Sequence, residues 1–216
     1  MKINSKGLFI TLEGGEGSGK TTLLHQLTAY FQKNGRDVLA TREPGGTFLG
    51  ETIRSLLLSN SSHSKIGLQA ELLLFLAARS QHLEEKIVPA LNQAKIVICD
   101  RFNDSTIAYQ GGARGLGVEY VESLCKQICG KNLPQITFYL SLPPEVGLAR
   151  SRGINKEHAA KGELDRIESE SLDFHRKIHQ TLEDLAKKEP GRICKIDARQ
   201  PQEEVFKKVI SVIENL

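Results

Sequence analysis

An α/β fold of the doubly wound kind, a parallel sheet covered by helices on both faces, is what this sequence predicts. Three observations point to it. Five short runs rich in β-branched residues alternate with long stretches of helical period. The short runs are apolar on both faces instead of alternating, which suits strands buried from both sides. The first run ends in a glycine-rich loop that opens a helix.

The elements follow in order. LFITLE (8–13) is the first strand, and KTTLLHQLTAYFQKNG (20–35) is a helix with apolar residues at i, i+3 and i+4 and a glycine at its end. DVLATRE (37–43) is the second strand, followed by the long helical stretch AELLLFLAARSQHLEEKIVPALNQ (70–93). KIVICD (95–100) is the third strand, and EYVESLCKQICG (119–130) is a helix closed by glycine. QITFYLSL (135–142) is the fourth strand and PPEVGLARS (143–151) a short helix. The charged, glycine-containing segment 150–168, RSRGINKEHAAKGELDRIE, breaks the pattern and reads as a mobile loop. ESLDFHRKIHQTLEDLAKKE (170–189), the fifth strand RICKID (192–197) and the helix PQEEVFKKVISVIENL (201–216) complete the chain. No repeat, low-complexity tract or linker divides it, so 1–216 reads as a single domain.

Composition narrows the function classes. The 216 residues, 39% of them apolar, suffice for one large core and are too few for two ordinary domains. The net charge of +3 is mild, and no long basic run interleaved with aromatics appears, so nucleic acid is not indicated. No apolar run approaches membrane-spanning length, and the N-terminus has no apolar segment ahead of a cleavage site. Of the four cysteines, Cys99 and Cys194 lie inside strand-like runs, and no C-x-x-C occurs. Reduced thiols in a cytoplasmic protein are the plain reading, with a metal pair at Cys125 and Cys129 the lesser alternative.

The loop after the first strand carries the chemistry. Gly14-x-x-x-x-Gly19-Lys20-Thr21 fits G-x-x-x-x-G-K-[ST], with a strand before it and a helix after it. Backbone N–H groups from Gly14, Gly15, Glu16, Gly17, Ser18, Gly19 and the start of the helix, through Thr22, can curl round a phosphate chain, and glycine permits the close approach. The helix adds its positive end. Lys20 supplies a mobile charge for the β- and γ-phosphates, and the Thr21 hydroxyl can ligate Mg²⁺. ATP is the expected occupant, and the open question is whether water or a second molecule accepts the phosphoryl group.

A GTPase switch is not supported: neither D-x-x-G nor N-K-x-D occurs anywhere. A transferase between two nucleotides needs cations to cancel the repulsion of two polyanions, and arginine's planar fork suits phosphate. Arg42, Arg101, Arg114, Arg150, Arg152 and Arg166 lie at predicted strand ends and loop edges, where folds of this class bind ligands. The reading from another class, a protein that binds ATP and changes shape without transfer, is disfavoured by Lys20, Thr21, Asp100 and these arginines. A kinase for a different nucleoside monophosphate is the alternative among enzymes.

With TREPGGT (41–47), FLAARSQ (75–81), CDRF (99–102), STIAYQGGARG (105–115) and GELDRIE (162–168) read in that order after the loop, the chain closely resembles the bacterial thymidylate kinases over nearly its whole length. The resemblance implies a P-loop NTPase fold with a five-stranded parallel sheet and a mobile lid at 150–168. It implies transfer of the γ-phosphate of ATP to dTMP with Mg²⁺, giving dTDP on the way to dTTP, and a homodimer.

It also implies roles. Glu16 faces the acceptor sugar or the adjoining metal; read alone, it is equally a solvated loop acid. Phe75 stacks on thymine and Arg79, four residues on, donates to its O4; read alone, Phe75 suits the core more readily. Thr106 and Gln110 address the pyrimidine edge. Tyr109 packs by the deoxyribose, or is an interface or core ring. Asp100 holds Mg²⁺ through water and Arg101 grips the acceptor phosphate, with a local ion pair as the plainer alternative. Glu43 and Pro44 shape the loop along the acceptor, and Arg54 contacts its phosphate or faces solvent. Gly15, Glu16, Gly17 and Ser18 carry no positive charge, so the lid supplies the transfer cation, Arg150 and Arg152 first and Arg166 next. Here the sequence departs from the family: GINKEHAAKG is longer than expected, which leaves Lys156 and Lys161 as further candidates. Adenine is expected near Asp197–Gln200, at the end of the last strand.

Overall fold

The computed structural model describes residues 7–59, 66–154, 166–167 and 169–216. Strands β1 (Leu8–Glu13), β2 (Val38–Arg42), β3 (Ile96–Asp100), β4 (Ile136–Ser141) and β5 (Ile193–Asp197) form one parallel sheet in the order β2-β3-β1-β4-β5. In the registers, Leu12 and Arg42 both lie level with Asp100. The carboxyl ends of β1, β2 and β3 therefore deliver Glu13, Glu43 and Arg101 to one edge of the sheet, the edge where open α/β sheets bind ligands.

The three central strands, β3, β1 and β4, are buried on both faces, as their lack of alternation requires, while the edge strands β2 and β5 are only partly covered. Ile10 and Leu12 of β1 pack with Leu23, Leu27, Phe31 and Val209 on one side, while Phe9 packs with Val97, Cys99 and Phe102 on the other. Each fully buried side chain of this size stabilises the fold by roughly 1.5–3 kcal/mol. Helix α1 (Lys20–Lys33) and the last helix, α9 (Gln202–Glu214), cover the first face. Between them in the chain come α2 (Phe48–Leu58), α3 (Leu68–His82), α4 (Val88–Asn92), α5 (Asn103–Thr106), α6 (Val118–Cys129), α7 (Pro144–Ile154) and α8 (Leu172–Lys188). Thr47 and Ser171 cap α2 and α8 by accepting from the N–H groups of Gly50 and Phe174. The stretch from α3 to α4 is continuous through a π-helical turn, Leu83–Ile87, and α5 continues as a π-helical segment, Ile107–Ala113.

The five strands match the predicted runs to within a residue at each end. Two helices lie outside the predicted helical stretches. In α2 the buried residues Gly50, Ile53 and Leu57 do recur at helical spacing, but a glycine on that face and the exposed Phe48 interrupt the apolar run. From Asn103 to Gly111 every residue is buried, so polarity cannot mark a face, and Gly111–Gly112 imitates a turn. At 150–168 the structure corrects the expected loop: α7 runs to Ile154, so Arg150 and Arg152 sit on a helix. The remaining lid expectation, with Lys156 and Lys161, falls on 155–165 and 168, outside the described residues. Among the described residues, no helix is long and apolar enough to cross a membrane.

Candidate active site

The loop from Gly14 to Gly19 turns the chain from β1 into α1. Gly14, Gly17 and Gly19 adopt φ of 147°, 65° and 92°, values that only glycine takes readily. At Gly17 a Cβ would lie 2.2 Å from the Gly147 carbonyl oxygen of α7, so the loop is pressed against that helix. Ser18 Oγ donates to the Gly15 carbonyl, and Lys20 Nζ donates to the carbonyls of Gly14 and Gly15 at 3.1 and 2.9 Å. Burial, then the nearby Arg101, pull the Lys20 amine below its ordinary value. Helix α1 has no side-chain cap and no acidic residue in its first turn, so its first N–H groups are left for an anion.

Thr21 Oγ1, in that first turn, donates to Asp100 Oδ2 at 3.1 Å, and the buried Asp100 Oδ1 has no hydrogen-bond partner among the described residues. A hydroxyl and a carboxylate with an unused oxygen, set beside the phosphate loop, are hard donors of the kind Mg²⁺ takes. The residues fit that ion. Among the described residues there is no cluster of three or more His, Cys, Asp or Glu that could hold a metal, and Cys125 and Cys129 are buried free thiols.

A cavity bounded by Gly17, Ser18, Gly19, Lys20, Thr21 and Thr22 extends past Arg150 to Ala198, Arg199 and Gln200. Arg150 Nη1 donates to the Ala198 carbonyl at 2.9 Å. The end of β5, where adenine was expected, thus forms the far wall of the same space as the phosphate loop.

A second cavity lies on the other side of Glu16, which lines both. Glu43, Pro44, Arg54, Phe75, Arg79, Arg101, Thr106, Tyr109 and Gln110 line the second one. The structure therefore gathers in one cavity every residue that the resemblance assigned to the acceptor. From the second cavity, Arg101 donates to Glu16 Oε1 at 2.5 Å and to the Gly14 carbonyl at 3.0 Å, and its guanidinium lies 5.1 Å from the centre of the Tyr109 ring. Arg101 itself has φ of 68°, a left-handed turn held by its N–H donating to Leu12 at 2.9 Å. Burial would push the Glu16 carboxyl up, but Arg101 and Lys20 outweigh it and hold it below its ordinary value. Tyr109 adds a weaker hydroxyl contact to Glu16 at 3.3 Å.

Arg79 is 1% exposed and held at three nitrogens: Nε donates to Glu43 Oε2 at 2.7 Å, Nη2 to Thr106 Oγ1 at 2.8 Å and Nη1 to Cys125 Sγ at 3.5 Å. Glu43 also meets His82 Nδ1 at 3.0 Å, and His82 Nε2 meets Thr41 Oγ1 at 2.8 Å. Glu43 thus orders the guanidinium from behind, leaving donor capacity toward the cavity. Phe75 sits one turn earlier in α3 and lines the same space. Arg54 Nη1 donates to the Pro44 carbonyl at 3.0 Å.

Other predicted arginines go elsewhere. Arg42 pairs with Glu51 at an exposed site, and Arg114 pairs with Glu71 and Glu170. Arg166 pairs with Glu71 and donates to the Leu57 carbonyl, away from the phosphate loop. The Arg152 side chain lies outside what is described.

Three residues were missed by the sequence reading: Glu13, Glu71 and His82. Glu13 accepts from the Phe102 N–H at 2.8 Å and from Ser105 Oγ, and burial, aided by Asp104, pushes its carboxyl up to about 7. Glu71, Phe75, Arg79 and His82 recur at helical spacing on α3, and all are buried. Three polar residues on the inward face of an apolar helix were the signal.

Residues 12–209 match the family described as thymidylate kinase. The chain is similar to the thymidylate kinase of Protochlamydia amoebophila (strain UWE25), 56% identical over 209 residues, covering 97% of this chain and 93% of that one. It is 43% identical over 205 residues to the thymidylate kinase of Clostridium novyi (strain NT), covering 95% and 97%. Among solved structures, the thymidylate kinase of Ehrlichia chaffeensis superposes with a TM-score of 0.74 at 34% identity, over 96% of this chain and 99% of that one.

Proposed function

Because this chain belongs to the thymidylate kinase family, we propose that it transfers the γ-phosphate of ATP to dTMP with Mg²⁺, giving ADP and dTDP on the way to dTTP. The observation that carries the reading is the meeting of two cavities at Glu16, which Arg101 holds from the acceptor side, one cavity walled by the phosphate loop and the other by Phe75, Arg79 and Gln110. That arrangement brings two nucleotides end to end.

In the transfer, a phosphate oxygen of dTMP forms a bond to the γ-phosphorus while the bond from that phosphorus to the β-bridging oxygen breaks, and the electron pair leaves with ADP. The acceptor oxygen is already anionic, so no general base is required, and catalysis is alignment with charge stabilisation. The loop N–H groups and Lys20 hold the donor phosphates. Arg101, tied to the loop carbonyl and to Glu16, positions the acceptor phosphate against them, with Arg54 at the acceptor side. Thr21 and Asp100 would hold Mg²⁺, which supplies charge neutralisation on the donor phosphates. Arg150, beside the donor cavity, is the described candidate for the transfer cation, with Arg152 next along the helix.

Phe75 offers an aromatic face to the base, and Arg79 a donor to its C4 carbonyl, a contact that a 4-amino group cannot make. Thr106, Tyr109, Gln110, Glu43 and Pro44 complete the acceptor pocket. The reading takes the chain as one domain acting in the cytoplasm as a homodimer. Leu56 on α2 and Leu73 on α3, 54% and 59% exposed, supply apolar surface for a second copy.

The deciding experiment is an acceptor panel with ATP and Mg²⁺, following ADP release with dTMP, dUMP, UMP and dCMP. Turnover with dTMP well above dCMP is expected. Equal rates with dCMP would refute the pocket reading, and ATP binding without acceptor-stimulated turnover would refute the kinase reading.

A further inference from the structure

We infer that Glu71 is a positioning residue for base recognition: its carboxylate fixes the Gln110 amide with the carbonyl oxygen turned toward the acceptor cavity. The pocket then takes a pyrimidine that presents a ring N–H and turns away one that presents a bare ring nitrogen. The inference rests on the pyrimidine nucleotide reading above.

Glu71 lies on α3, one turn before Phe75, with no exposed surface. Its Oε1 accepts from Gln110 Nε2 at 2.9 Å and from Arg114 Nε at 3.1 Å, and its Oε2 accepts from Arg166 Nη2. Burial pushes this carboxyl up, but the Gln110 amide and the two guanidinium groups more than offset it, so the group is held below its ordinary value and stays anionic. An anionic carboxylate has no proton to donate. Only the NH₂ end of the Gln110 amide can face it, and the choice between the amide's two ends follows from charge.

The consequence falls on the other end of the amide. Gln110 Oε1 is buried and has no hydrogen-bond partner among the described residues, while Gln110 lines the acceptor cavity together with Arg79. A buried carbonyl oxygen without a donor is a cost that a bound N–H would remove. Arg79 can only donate, and Gln110, so held, can only accept. Thymine and uracil present a carbonyl oxygen at C4 and an N–H at N3, which match that pair. Cytosine presents an amino group and a bare nitrogen, which oppose it at both points. Without the carboxylate, the Gln110 amide can rotate by half a turn with no change of shape and offer a donor instead.

The test is kcat/KM for dTMP and for dCMP, with ATP and Mg²⁺, in the wild type, Glu71→Gln, Gln110→Ala and the double variant. Glu71→Gln should lower the dTMP-to-dCMP ratio on the order of tenfold, with KM for ATP unmoved. In the Gln110→Ala background, Glu71→Gln should leave the ratio unchanged, because its effect passes through that amide. A preserved ratio in Glu71→Gln, or the same fall in both backgrounds, overturns the inference; general loss of packing would lower both acceptors together and preserve the ratio. Absence of dTMP-dependent ADP release in the wild type would instead refute the functional reading. The amide lock is then measured directly in ¹⁵N-labelled wild type, whose Gln110 side-chain NH₂ signal is identified by its loss in Gln110→Ala. Protection from solvent exchange in the free protein is expected. Exchange as fast as that of an exposed amide overturns the lock, whether or not Glu71→Gln folds.

Discussion

The Arg101 guanidinium and the Glu16 carboxylate meet at 2.5 Å, each 19% exposed, at the junction of two cavities. Glu16 belongs to the phosphate loop and Arg101 to the turn after β3, so the pair joins two strand ends across the site. The guanidinium also holds the Gly14 carbonyl; burial opposes its charge, but Tyr109, Glu16 and Asp100 more than offset that, so it stays charged. A cation so placed is ordered before any phosphate arrives. Arg101→Ala is expected to lower kcat with dTMP by roughly 10²–10³-fold. Arg101→Lys should recover little, because one ammonium cannot replace the planar fork that reaches both Gly14 and Glu16. Saturating steady-state assays decide, and a lysine variant as fast as the wild type would remove the fork from the mechanism.

Arg79→Ala should do two separable things. It removes the proposed contact to the C4 carbonyl, so kcat/KM for dTMP falls, while ATP binding, across the site, is expected to stay within about twofold. It also strips Glu43 of its buried cation and leaves His82 as its remaining charged or polar side-chain neighbour in the chain of contacts to Thr41. Breaking a buried pair of this kind costs about 3–5 kcal/mol. Urea unfolding read beside titration with an ATP analogue separates the two. A variant with wild-type stability would mean that Glu43 is satisfied by other groups.

How much of this could be read from the sequence depended on whether local chemistry or tertiary packing decided the element. The phosphate loop and the five strands were legible because glycine spacing and two-sided apolar runs have few other uses. Phe75 and Arg79 were legible as a pair because four residues make one helical turn. The helix at Asn103–Thr106 was obscured because uniform burial erases the stripe that marks an amphipathic helix, whereas Phe48–Leu58 keeps Ile53 and Leu57 on one buried face, with Gly50 in place of an apolar side chain one turn earlier. Arg166 and Arg114 carried the right residue type but served a buried carboxylate, Glu71, which charge alone could not reveal. Glu43 was read as a loop-shaping residue; its place behind Arg79 depends on β2 and α3 meeting across the site, a contact between residues 36 apart in the chain.

Gly147 on α7 and Gly17 in the phosphate loop face each other without room for a side chain. A Cβ on Gly147 would lie 2.3 Å from the Glu16 carbonyl oxygen, which is backbone and cannot swing aside. Helix propensity alone favours Gly147→Ala by about 1 kcal/mol. Overpacking costs about 1–3 kcal/mol, so the contact should win and the variant should be less stable. Because the atom displaced belongs to Glu16, KM should rise for both nucleotides. Gly191→Ala, where nothing lies within 4 Å of the added carbon, is the control and should do neither. Stabilisation by Gly147→Ala would show that the loop yields freely to the helix.

Glu13 supplies a pH dependence opposite to that of Glu16 and Glu71. Burial first, then Asp104, pushes its carboxyl from an ordinary 4.5 up to about 7. The folded chain therefore binds the extra proton between about pH 4.5 and 7, where the unfolded chain has released it. The stability from this neutral group is complete below about pH 4.5 and is lost as pH rises through about 7. Glu16 and Glu71, held below their ordinary value, contribute stability that is present above about pH 4.5 and lost on acidification. Glu13→Gln keeps the shape and an acceptor for the Phe102 N–H but cannot ionise. The stability of the variant relative to the wild type should then climb from pH 5 to about pH 7, by at most about 1.4 kcal/mol per pH unit, the slope of a single proton, and level off by pH 8. Urea unfolding of both proteins across that range measures it, and a flat difference would mean that Glu13 is ionised throughout and that Phe102, Ser105 and Arg101 together outweigh its burial.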